Sequence, residues 1–249
     1  MTPRPASRIL AVAAVALAAC GAGDAPRTFA VGEHRVSVRV PGGWEVREQG
    51  RAVRLRSAGV ELVLQDLGPA GPLGIRREAE RAQDLWRAGR VDEARWRLAN
   101  VPLPPWRFAN AVEERALRTM WFNLAGESSR ALPYDAAAPR LVEVLAAVAR
   151  LPERTLPELA DAGLATLGHD ERRDVKARAP VTVGGNEALD VETWTRLAHT
   201  SPRRYVFVRN DDFLLALYTA TDADAGAVKT LVAVRDSLQF PPAAASDRR

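Results

Sequence analysis

The chain has 249 residues, 47% hydrophobic and 27% charged, with a formal net charge of +4 and a sequence pI near 9.8. A single cysteine, Cys20, excludes an intramolecular disulfide and a thiolate metal cluster, so stability rests on buried apolar area. All the basic residues except Lys176 and Lys229 are arginine, which stays charged at any ordinary pH and lifts the pI without creating a basic field; with Arg4 and Arg8 set aside the net charge falls to +2, too balanced for a nucleic-acid footprint.

The first predicted element is a leader. Arg4 and Arg8 precede an apolar stretch from Ile9 to Ala19, which closes on Leu17-Ala18-Ala19-Cys20. Small residues before a cysteine, after a short apolar run with a positive head, form the signal of a bacterial lipoprotein. Cleavage between Ala19 and Cys20 is expected, with a diacylglycerol on the Cys20 sulfur and a third acyl chain on its freed amine. The stretch is too short for a transmembrane helix, which needs about 20 apolar residues, whereas two or more acyl chains anchor stably. Residues 1–19 are therefore read as signal peptide and 20–26 as a flexible, lipid-anchored tether. This places the protein outside the cytoplasm, with the membrane as its first partner, and again disfavours nucleic acid. Gly21 stands where an aspartate would resemble an inner-membrane retention signal, so an outer membrane facing the periplasm is expected if the source has two membranes.

Residues 27–74 read as strands. Val36, Val38 and Val40 alternate with Arg35, Ser37 and Arg39, and Val53, Leu55, Val60, Leu62 and Leu64 continue the period of two, which predicts a strand meander. Arg35, Arg39, Arg54 and Arg56 are expected to share one basic sheet face suited to anionic lipid or an acidic partner, or simply to solvent. The glycine- and proline-rich run from Gly68 to Gly74 marks a boundary.

Residues 75–150 change to helical spacing, with Ile75, Ala79, Ala82, Leu85 and Trp86, then Phe108, Val112, Ala116, Met120 and Leu124. Gly89 to Ala94 resembles the turn of a tetratricopeptide unit, but prolines 102, 104 and 105 stop the next helix and no 34-residue period follows. An all-helical insertion of non-repeat type is favoured over a repeat pair. Trp86, Trp96, Trp106, Trp121 and Phe122 concentrate there as candidate partner-binding residues, with an ordinary helical core as the alternative.

Residues 151–240 return to a mixed pattern. Thr155 and Glu158 form a capping box before a helix with Leu159, Ala160, Gly163, Leu164 and Leu167. Strands are predicted at Lys176 to Val183, Ala188 to Leu197, Arg204 to Val208 and Phe213 to Thr219, the last apolar at both parities and so covered on both faces. Thr221 is expected to cap a final helix through Leu238, and 241–249 is a polar tail.

Motifs for catalysis are sparse. Gly126 to Arg130 lacks the second glycine of a nucleophile elbow, and His34, His169 and His199 are scattered without metal-ligand spacing. His169-Asp170-Glu171 reads as a solvated helix end, and Asn210-Asp211-Asp212 as a hairpin turn. No catalytic residue, cofactor or metal is expected. A remote hydrolase alternative would need Asp190 and Glu192, on one strand face, to converge with a histidine.

Val40-Pro41-Gly42-Gly43-Trp44 after a strand, Val183 to Ala188 between strands, and Asp236-Ser237-Leu238-Gln239-Phe240 after the last helix resemble landmarks of the PsbP-like superfamily, which includes DcrB-type lipoproteins. The resemblance spans residues 27–74 and 151–240. It implies an α+β fold, a central antiparallel sheet flanked by helices as an α/β/α sandwich. Pro41 and Gly42 would turn the chain, Trp44 would pack back on the sheet and Phe240 would close the core. Members of the family are noncatalytic, so no active site transfers. The insertion has no counterpart in that pattern. The expected function is a noncatalytic, lipid-anchored envelope scaffold or assembly factor with a protein partner; the alternative is a periplasmic chaperone or small-ligand-binding lipoprotein.

Overall fold

Phe213–Thr219, apolar at every position but its tyrosine and threonine, lies at the centre of the molecule. It is strand β9 of a seven-stranded, wholly antiparallel sheet ordered β3-β4-β5-β9-β8-β7-β6, built from β3 (Glu45–Gln49), β4 (Ala52–Ser57), β5 (Val60–Pro69), β6 (Arg173–Val183), β7 (Asn186–Thr195) and β8 (Arg203–Asn210). A separate hairpin pairs β1 (Pro26–Val31) with β2 (His34–Arg39). The helices are α1 (Pro72–Arg87), α2 (Val91–Ala99), α3 (Tyr134–Val148), α4 (Leu156–Thr166) and α5 (Ala225–Asp236). This computed structural model describes residues 25–32, 34–57, 59–99, 134–150, 153–167, 173–195, 202–211 and 213–241.

Alternation along the strands feeds two cores. On one face, Phe29, Val31, Val36 and Val38 of the hairpin and Leu231, Val234 and Leu238 at α5 meet Val53, Leu55, Leu62, Leu64, Val206, Leu215 and Leu217 of the sheet. On the other, Leu156, Leu159, Ala160 and Leu164 of α4 cover Leu67, Leu189, Val191, Tyr205, Phe207, Leu214 and Ala216. Burying each large aliphatic side chain contributes roughly 1.5–3 kcal/mol, and β9 supplies both layers at once. The result is the α+β sheet-and-helix sandwich that the sequence predicts. Gly163 lets α4 lie this close: a Cβ there would stand 2.6 Å from Phe207 Cε1 and 3.0 Å from Leu67 Cδ1.

Three local expectations change. β1 and β2 do not join the meander; only β3, β4 and β5 do, because period-two alternation marks a buried face but not the sheet that buries it. α1 begins at Pro72, with proline in its first turn, so the strand-to-helix junction falls before Ile75. Asp224, not Thr221, caps α5, its carboxylate accepting the Ala227 N–H at 2.7 Å. The Ala223 N–H bonds Pro202 O at 2.8 Å and keeps the preceding residues out of the helix. The α4 box forms as expected, Glu158 Oε2 accepting from the Thr155 N–H at 3.0 Å.

The sequence landmarks meet in space. Trp44 and Phe240 pack against the hairpin-side core. Gly184 turns β6 into β7 at φ +55, and a Cβ on it would lie 2.7 Å from Leu238 O and 3.0 Å from the Phe240 ring. Glycine is required there on both counts.

Candidate functional site

The expected cleavage pair, Ala19 and Cys20, lies outside the described residues. The first strand residue is Pro26, and it pairs with Arg39 at the open end of the hairpin. Among the described residues no helix is long and apolar enough to cross a membrane.

The four arginines expected on one face occupy two. Val36 and Val38 of β2 and Val53 and Leu55 of β4 point into the same core from opposite sides. Arg35 and Arg39, alternating with the valines of β2, therefore stand on the outer surface of the hairpin, while Arg54 and Arg56 stand on the far surface of the large sheet. A single four-arginine face does not exist, because the two strands lie in different layers.

On the far surface, charge is matched. Arg54 donates to Glu61 Oε1 at 2.7 Å, Arg56 lies 3.6 Å from Glu61 Oε2, and Arg47 pairs with Glu45 at 2.7 Å. Cross-strand neighbours run from Arg47 through Arg54, Val63, Tyr218, Tyr205 and Val191 to Arg178 at the other edge. Tyr205 and Tyr218 stack with centroids 5.7 Å apart, and the Tyr218 hydroxyl donates to Gln65 Oε1 at 2.9 Å. Burial raises the Tyr218 pKa above its ordinary 10.0, because the phenolate would lose solvation there.

The outer surface of the hairpin differs. Its outward row comprises Pro26, Thr28 and Ala30 opposite Arg39, Ser37 and Arg35. Both arginines are exposed, and among the described residues neither has a carboxylate partner. Arg27, also exposed, alternates off this row to the side of Phe29, its guanidinium 5.2 Å from that ring centroid.

Among the described residues neither sheet core cluster takes a side chain from α1, α2 or α3, although α1 lies beside β5. Ile75, Ala79, Ala82, Trp86, Ala94, Leu98, Leu141 and Val148 are buried. Trp86 is only 2% exposed, so it is a core residue and not a partner contact; the three- and four-residue spacing that drew attention to it is the spacing of a buried stripe. The Trp96 side chain, Trp106, Trp121 and Phe122 lie outside the described residues. Among the described residues, Leu73 and Val142 are large apolar side chains that this region exposes, at 51% and 56%.

The carboxylates with catalytic promise are occupied. Asp190, 4% exposed, accepts from Arg204 Nε at 2.7 Å and Arg235 Nη1 at 3.1 Å, clamping α5 to β7 and β8. Its hydrogen bond is the main cause that raises the Arg204 pKa. Glu192 pairs with Lys176 at 2.8 Å, whose ammonium also lies 5.1 Å from the Trp194 ring. His34 stacks on Phe213 with centroids 3.4 Å apart, and Phe213 pairs with Asn210, four residues along β8 from the Val206 that pairs with Asp190. The hydrolase constellation of Asp190, Glu192 and a histidine is thus not assembled by His34. His169, Asp170, Glu171 and His199 lie outside the described residues. Asn210 and Asp211, the latter at φ 49, form the β8–β9 turn as expected. No cluster of three metal-ligating side chains occurs among the described residues.

No family model and no curated protein matches this chain.

One polar junction escaped the sequence reading. Asp66, 6% exposed, accepts from the Gly68 N–H at 2.7 Å and from Arg51 Nη2 at 3.0 Å. Its Oδ2 would lie 2.3 Å from a Cβ on Gly32, and the Gly32 N–H donates to Gly50 O at 3.2 Å. This fastens the hairpin turn to the β3–β4 turn and the irregular end of β5. The available signal was an aspartate in an apolar strand two residues before a glycine.

Proposed function

We propose that the protein is a lipid-anchored, extracytoplasmic envelope protein that acts as a noncatalytic scaffold or assembly factor. Its body is a PsbP-like sandwich, and the helical lobe is the surface that meets a protein partner. The observation that carries this reading is the order Arg4, Arg8, an apolar run and Leu17-Ala18-Ala19-Cys20, followed closely by a folded domain starting at Pro26. Acyl chains at Cys20 hold the domain at one membrane and raise its effective concentration toward partners there.

Other observations support it. Asp190 and Glu192 are held by arginine and lysine partners, which suits a structural role better than acid–base chemistry. β9 is packed on both faces, which favours a scaffold over a ligand binder that uses the central sheet. Leu73 and Val142 give the lobe exposed apolar groups. Ala70 and Leu156, which flank the insertion, share one core cluster, so its two ends leave the sandwich from the same core.

Replacing Cys20 with alanine and fractionating cells tests the anchor: the variant leaves the membrane fraction, and continued detergent-dependent membrane attachment contradicts the reading. Excising residues 75–150 tests the lobe. The sandwich stays folded by circular dichroism and loses its crosslinked partner in the envelope; undiminished crosslinking shows that the partner meets another surface.

A further inference from the structure

Many arginines on and around the sheet are paired among the described residues, as in Arg54 and Arg56 with Glu61, Arg51 with Asp66, and Arg204 and the α5 residue Arg235 with Asp190. Arg35 and Arg39 depart from this pattern. Both are exposed and are faced across the hairpin by Ala30 and Pro26, while Ser37 between them is buried, its backbone bonded to Gln239.

The position of this surface matters as much as its charge. Arg39 is the register partner of Pro26, where the chain enters the fold. Six residue steps separate Pro26 from Cys20, and such a segment reaches about 20 Å at full extension. Arg54 and Arg56 sit beyond a further sheet layer, about 10 Å deeper, which exceeds a screening length of about 8 Å at physiological salt.

We propose that the outer surface of the β1–β2 hairpin rests on the anionic phospholipid headgroups of the membrane that holds the acyl chains. This inference rests on the reading of Cys20 as lipidated, and adds an orientation to it: hairpin down, matched far surface up. Guanidinium suits the contact because its planar fork binds phosphate in two bonds at once. Each arginine near an anionic surface strengthens the contact about fivefold. Two arginines and a short tether act together, the acyl chains supplying attachment and the hairpin fixing which way the domain faces.

The test uses the whole lipidated protein. Its natural cysteine is consumed as a thioether, so an introduced cysteine is the sole free thiol. Ala30→Cys places a fluorophore across the hairpin from Arg35, and Gln49→Cys places one on the far surface. In vesicles of phosphatidylcholine mixed with phosphatidylglycerol, with a nitroxide on some headgroups, the label at 30 is quenched several-fold more than the label at 49. The difference disappears in phosphatidylcholine alone and when Arg35→Ala and Arg39→Ala are added. Equal quenching at the two positions in the mixed vesicles overturns the proposal, as does a difference that survives removal of the arginines. Failure of the protein to float with any vesicle is a separate outcome and overturns the lipid at Cys20, and this orientation with it.

Discussion

Two surfaces of this protein carry arginines in the same alternating pattern, and they behave differently. On β4, Arg54 and Arg56 share Glu61 from the next strand, so both are paired with a carboxylate where the surface forms. On β2, Arg35 and Arg39 face Ala30 and Pro26 across the hairpin and have no carboxylate within the described residues. The alternation alone is blind to this; strand partners decide whether an arginine is a structural ion or a free cation. Buried pairs form the third case, since Asp190 holds two arginines against α5.

The interior clamp is where breaking a pair costs most. Asp190→Ala strands two arginines that are only partly solvated, and a loss of about 3 kcal/mol in denaturant-unfolding free energy is expected; a loss under about 1 kcal/mol would mean that the clamp does not fasten α5. Asp190→Asn, which keeps an acceptor, falls between the two. A smaller effect is expected at Tyr218. Its raised pKa means that the folded protein keeps the phenol proton after the unfolded chain has released it, so this contribution is present below pH 10.0 and is lost as pH rises through the folded value. Stability falling above that pH in the natural protein, and falling less steeply in Tyr218→Phe, checks the sign. Glu61→Gln on the far surface, where a largely buried carboxylate serves two half-exposed arginines, costs about 1 kcal/mol, and it leaves Arg54 and Arg56 without their carboxylate and should weaken the preference for hairpin-down orientation. Arg35→Ala with Arg39→Ala shifts stability by no more than about 0.5 kcal/mol while abolishing that preference, which separates a surface kept for contact from one kept for folding.

Much of the architecture could be read before any coordinates. Phe213 to Tyr218 is apolar at both parities and proved to be the centre of the sheet; Thr155 and Glu158 announced α4; two glycines at 184 and 185 announced the β6–β7 hairpin. Long-range pairing was not legible. β5 lies beside β9 although about 150 residues separate them, and nothing local in Val60 to Leu64 selects that neighbour. For the same reason the detachment of β1–β2 from the meander was hidden, and with it the division of the arginines. Trp86 illustrates a different gap: periodicity identified its helix, yet the same periodicity is produced by a stripe that binds a partner and by one that fills a core, and only its neighbours in α2 and α3 decide. Asp66 and Asp190 were invisible as anchors because their partners come from separate turns and elements.

Intact-mass spectrometry of the protein extracted with detergent from its native envelope is the most direct measurement. A chain that starts at Cys20 and carries a diacylglycerol and an amine-linked acyl group is the predicted species. A full-length, unmodified chain that still starts at Met1 would contradict the assignment on which the anchor, the scaffold role and the orientation all depend.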